Sequence, residues 1–138
     1  MADCEIILKS EDQRIVWGWA SVIEKGGKIV VDHQGDMIEP TELAKAAHGY
    51  VATARVGKAM HDGPKVAELV ESIVVTKGGG FEALLKSMGV AMPDTMPMQG
   101  WWVGFKVHDD ATWALVKSGK LKAFSIGGSG KRVDAPAA

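Results

Sequence analysis

Arg14-Ile-Val-Trp-Gly-Trp-Ala-Ser-Val-Ile-Glu24 is the stretch that decides the fold. A two-residue period puts Trp17, Trp19, Ser21 and Ile23 on one face and Val16, Gly18, Ala20 and Val22 on the other. Both faces are largely apolar, which is the pattern of a central strand. Working outward, Gly26-Gly27 turns the chain into the β-branched run Lys28 to Val31, and Asp32 to Asp36 is a polar loop. An earlier strand carries Cys4, so the chain begins as a small meander.

Pro40, Thr41 and Glu42 have the composition of a helix start, and the apolar residues from Leu43 to Val51 recur at three- and four-residue spacings. One helix of about three turns is expected. Arg55 to His61 reads as a strand, Asp62-Gly63-Pro64 as a turn, and Lys65 to Thr76 as a long strand on its β-branched tail. Strict alternation there puts Glu68 and Glu71 on opposite faces. Lys77 to Met98 is a long excursion with four methionines, two prolines and the helical fragment Phe81 to Met88. Its composition suits a lid or flap that moves when substrate is absent. Gly100 to Val107 is a further strand, Asp109-Asp110 starts a short helix, and Leu121 to Ile126 is the last strand.

Six or seven strands with two or three helices, in no βαβ alternation, predict an α+β domain. Its sheet is expected to be mostly antiparallel and to close into a β-barrel. Residues 1–131 are expected to form the domain and residues 132–138 a flexible tail. With 138 residues, 46% hydrophobic and 24% charged, one globular domain accounts for the whole chain. Sixteen basic against seventeen acidic residues give a net charge of −1, which supplies no general drive toward nucleic acid or membrane. The single cysteine cannot form an internal disulfide, and no apolar run is long enough to span a bilayer. A reducing cytoplasm fits best.

Several groups fail as sites. Cys4 has no adjacent histidine and reads as a core or edge thiol. Asp32-His33-Gln34-Gly35-Asp36 lacks the ligand count and distal glutamate of a calcium loop, so no metal is expected. His48 on the helix and His108 beside Asp109 read as structural. The Gly127 to Lys131 stretch is superficially like a phosphate loop, but no Ser or Thr follows the lysine and no helix can follow.

Two positions remain. His61 ends a strand at a turn, where an imidazole can be exposed on a fixed backbone. Ser125 groups with Leu121, Ala123 and Gly127, while Lys122, Phe124 and Ile126 point the other way. Small neighbours leave room for a substrate backbone, and the N–H groups of Gly127 and Gly128 could face a developing oxyanion. The competing reading is a buried serine bonded to a neighbouring strand.

The order of GWASV, the DxxGDxI loop at Asp32 to Ile38, a helix, His61-Asp62-Gly63, VAELVESIVV, GWWVGFKV and Phe124-Ser125-Ile126-Gly127 resembles the phage prohead maturation serine proteases. The closest likeness is to their prophage-type branch, and the resemblance runs from about Ile15 to Lys131. It implies the assemblin-like architecture, a closed and mostly antiparallel barrel with flanking helices. It also implies Ser125 as nucleophile, His61 as general base and a third member that is an acidic residue or a second histidine. Glu71 is the choice for that member, with Glu68 as competitor, because Leu69, Ile73 and Val75 would share the face of Glu71.

The implied activity is endopeptidase cleavage of phage scaffold or of the arm of the major capsid protein, and of the chain itself, through an acyl-enzyme without cofactor or metal. The implied setting is the assembling prohead in the host bacterial cytoplasm, with scaffold and capsid proteins as partners, homo-oligomerisation allowed, and no nucleic-acid or membrane partner. The alternative is a noncatalytic capsid-assembly module on the same fold, preferred if Ser125 is buried or far from His61. A weaker one is an unrelated β-rich binding domain anchored by Trp101 and Trp102.

Overall fold

The computed structural model describes residues 3–31, 37–58 and 65–126. Eight strands and three helices follow in the order β1 (Asp3–Glu5), β2 (Leu8–Ser10), β3 (Ile15–Lys25), β4 (Lys28–Ile29), α1 (Pro40–Thr53), β5 (Val56–Lys58), β6 (Lys65–Val75), α2 (Gly80–Ser87), β7 (Met98–Val107), α3 (Asp110–Lys117) and β8 (Ala123–Ile126). All pairings between strands are antiparallel, and the sheet runs β1-β8-β5-β6-β7-β3-β2, with β4 attached to β3. The α+β class and the antiparallel sheet are therefore as expected. The closed barrel is not: the ladder curls into a half-barrel whose ends are β1 and β2. Residues 3–10 do not form one continuous strand; the chain leaves β8 after Glu5 and joins β3 through Ile7, whose N–H donates to the Trp17 carbonyl at 2.8 Å.

The central strand β7 makes both faces of the sheet legible. Trp101, Val103, Phe105 and Val107 are buried and define the core face. Gly100, Trp102, Gly104 and Lys106 define the outer face. Helix α1 begins with Pro40 at its first turn and buries Leu43, Ala47 and Tyr50, one stripe at three- and four-residue spacing. That stripe covers the core face, with Tyr50 edge-on to Trp101 at 5.4 Å between ring centroids. Helix α3 adds Trp113 and Val116 to the same core, and Asp109 caps it by accepting from the Thr112 N–H at 2.8 Å.

Bulges break the strict alternation read from the sequence. Along β3 the register shifts between Trp19 and Ser21, so Trp17 and Trp19 oppose outer-face Gly104 and Trp102 whereas Ser21 opposes core-face Trp101. Along β6 it shifts between Leu69 and Glu71, leaving Val70 as the extra residue. The excursion from Lys77 to Met98 is tied at its ends. The Lys77 ammonium donates to the Asp94 carbonyl, the Lys77 N–H to Gln99 Oε1 at 3.2 Å, and the Gly26 N–H to the Pro97 carbonyl at 2.9 Å. Met96 is buried there, while α2 between the anchors buries none of its residues.

Candidate active site

Ser125 sits in the middle of β8, opposite Asp3 of β1 on one side and Lys58 of β5 on the other. Its neighbours Phe124 and Ile126 point into the core, against Cys4 and Gly57. The alternation read from the sequence is therefore correct at this strand: Ser125 and Ala123 share the outer face. Ser125 is nonetheless buried, at 5% exposure. His61, Gly127 and Gly128 lie outside the described residues.

The bulge at Val70 decides where the two glutamates go. Glu68 opposes Lys106 and Glu71 opposes Gly104, so both carboxylates stand on the outer face. Opposite faces were expected, and the extra residue reverses the parity between them. The apolar setting expected for Glu71 changes in the same way. Ile73 and Val75 do share its face, but Leu69 opposes Phe105 on the core side, and Glu71 is exposed. Ser72 stands opposite Val103 and is exposed, and its Oγ accepts from Trp101 Nε1 at 2.8 Å.

Each glutamate has its own partners. Glu71 Oε1 accepts from Trp17 Nε1 at 2.5 Å, across the intervening strand β7. Glu68 lies 3.2 Å from Lys65 Nζ and 3.6 Å from His108 Nε2. The hydrogen bond from the Lys65 ammonium, helped by His108, holds the Glu68 carboxyl below the usual carboxylate range. His108 is thus half of an imidazole–carboxylate pair, which the sequence reading missed because the two residues are forty apart and meet only through the β6–β7 ladder.

The register also ranks the two carboxylates by distance from Ser125. Ser125 opposes Lys58, and Lys58 opposes Lys65, so Lys65 is two strand spacings away, about 10 Å. Glu68 is three residues farther along β6, roughly 10 Å, and Glu71 six residues, roughly 20 Å. Cys4 is excluded as a nucleophile: burial pushes its thiol up to about 12, so it stays protonated at neutral pH. Among the described residues no group of three or more His, Cys, Asp or Glu side chains is placed to hold a metal, and no helix is long and apolar enough to cross a membrane.

A curled antiparallel sheet with a serine, two carboxylates and an imidazole on its outer face fits the resemblance seen in the sequence. The chain belongs to the family described as "Putative phage serine protease XkdF", whose model matches residues 3–134. It is similar to "Uncharacterized protein YqbD" of Bacillus subtilis (strain 168), with 28% identity over 127 residues. That match covers 91% of this chain and 34% of the relative, so the chain spans about a third of the relative's length. No solved structure matches the chain.

Proposed function

We propose that this chain is a serine endopeptidase of phage head maturation that cleaves scaffold or the arm of the major capsid protein, and its own chain, within the assembling prohead. The observation that carries the reading is the position of Ser125. It stands on the outer face of β8 directly opposite Lys58, and His61 follows Lys58 by three residues in a chain whose family is described as a serine protease. In this mechanism Ser125 Oγ attacks the scissile carbonyl carbon while His61 takes the hydroxyl proton. The N–H groups of Gly127 and Gly128 receive the oxyanion. Collapse of the tetrahedral intermediate breaks the C–N bond, His61 protonates the departing amine, and water then releases the acyl group from Ser125.

The third member comes from the outer face of β6. The sequence favours Glu71, but the register supports Glu68, which stands about half as far along the strand from the Ser125 row. Its role is to orient the imidazole and stabilise its charged form.

The low exposure of Ser125 favours a second reading, a noncatalytic module that binds scaffold or capsid protein on the same sheet. One experiment separates them. A fluorophosphonate probe, in which the serine oxygen displaces fluoride at phosphorus, should label the wild-type chain and not Ser125→Ala. Co-expressed scaffold and capsid proteins should be cut only by the wild type. Absence of both labelling and cleavage selects the noncatalytic module.

A further inference from the structure

Beside the Ser125 row lies a surface cavity of about 330 Å³ lined by Thr53, Ala54, Arg55, Lys65, Glu68 and Leu69. Helix α1 ends at its rim, with the N–H groups of Ala54 and Arg55 both donating to the Tyr50 carbonyl at 2.9 and 3.0 Å. Arg55 then turns the chain with a φ of 52°, the left-handed position after a helix where glycine is the usual residue. Its carbonyl accepts from the Leu69 N–H at 3.0 Å, so the strained residue is fixed against β6.

Only one other described non-glycine residue has a positive φ, Arg14 at 55°. There the guanidinium is paired with Asp110 at 2.7 Å, which gives the arginine a structural reason to occupy the position. Arg55 has no such reason: it is exposed, and among the described residues no carboxylate pairs with it. Glu68, the acidic lining residue, is held by Lys65 and His108 and offsets the charge of Lys65. The Thr53 hydroxyl is committed to the Gly49 carbonyl at 2.7 Å. The cavity therefore presents one uncompensated positive charge, kept at a backbone position that a glycine would occupy without strain.

We propose that this cavity is a specificity subsite for an acidic side chain of the cleaved polypeptide, with Arg55 as the residue that recognises it. The inference rests on the reading of Ser125 as nucleophile. Arg55 precedes Lys58, the residue opposite Ser125, by three positions, so it lies one strand spacing across and three residues along from Ser125, on the order of 10 Å, the span of about three residues of extended chain. The acidic residue should accordingly stand about three positions from the bond that is cut, and the substrate class is an acidic, extended segment.

The test uses the full chain and a library of internally quenched peptides that differ in Glu or Gln at each position flanking the scissile bond. Wild type should cut the Glu peptide about fivefold faster in kcat/KM at one position about three residues away, the discrimination one partly exposed ion pair supplies. Arg55→Gly should bring that ratio to about one while raising Tm, because glycine relieves the left-handed strain; a drop in specificity with a gain in stability cannot come from misfolding. Arg55→Lys should keep part of the preference. If Ser125→Ala is inactive but wild type shows no Glu preference, or Arg55→Gly leaves the ratio unchanged, the subsite is wrong and the protease reading stands. If wild type cuts no peptide, or Ser125→Ala cuts as well as wild type, the protease reading falls and the subsite with it.

Discussion

Trp17 of β3 and Glu71 of β6 are joined by a hydrogen bond that passes over β7, the strand between them. Both residues oppose Gly104, and the missing side chain there is what lets the indole lie across the sheet. A Cβ on Gly104 would sit 2.9 Å from Trp17 Cδ1 and Nε1 and 3.2 Å from the Cβ of Glu71.

Gly104→Ala should therefore displace the indole and break the bond. The expected loss is about 1–3 kcal/mol, the range for overpacking a tight site. Trp17→Phe, which removes the donor and keeps most of the ring, should cost less. Urea denaturation of both variants checks the order.

The proposed orienting carboxylate is tested by cleavage rate. Glu68→Gln should lower turnover by orders of magnitude, since losing the orienting charge leaves nucleophile and base in place with the wrong tautomer preferred. Glu71→Gln should have the smaller effect on turnover. The reverse order would return the role to Glu71.

Asp109 gives a pH dependence with a definite sign. Its side-chain and backbone hydrogen bonds from Thr112 hold its carboxyl below the ordinary range. A carboxyl depressed on folding adds stability above its unfolded pKa, and that contribution disappears as pH falls through the folded value. Asp109→Asn should thus lower Tm most near neutral pH, and the gap should narrow as the solution is acidified through the carboxylate range. A gap that stays constant with pH would show that the charge contributes nothing.

Helix α2 should exchange its amide hydrogens faster than β7. Its residues are all at least partly exposed and its anchors lie outside it, at Lys77, Met96 and Gln99, so local opening exposes little new apolar surface. Strand β7 is paired on both sides, by β3 and β6, and carries the core residues Trp101, Val103 and Phe105. Equal protection of the two would count against α2 as a mobile cover.

The amino-acid sequence by itself determined the strands that carry the core, because apolar period and β-branching are local properties. The long strands β3, β6 and β7 were legible this way, as were the Pro40 helix start, the Asp109 cap and the division of β8 that turns Phe124 and Ile126 inward and Ser125 outward. Tertiary structure decided what depends on pairing. The bulge at Val70 has no signature in VAELVESIVV; it exists because β6 must match the register of β7, and that one extra residue brings Glu68 and Glu71 to a single face. Curl without closure, the Glu68–His108 pair and the placing of Arg55 beside Lys65 have the same origin. Each joins residues distant in sequence through the ladder, where local periodicity carries no information about which neighbour a strand will meet.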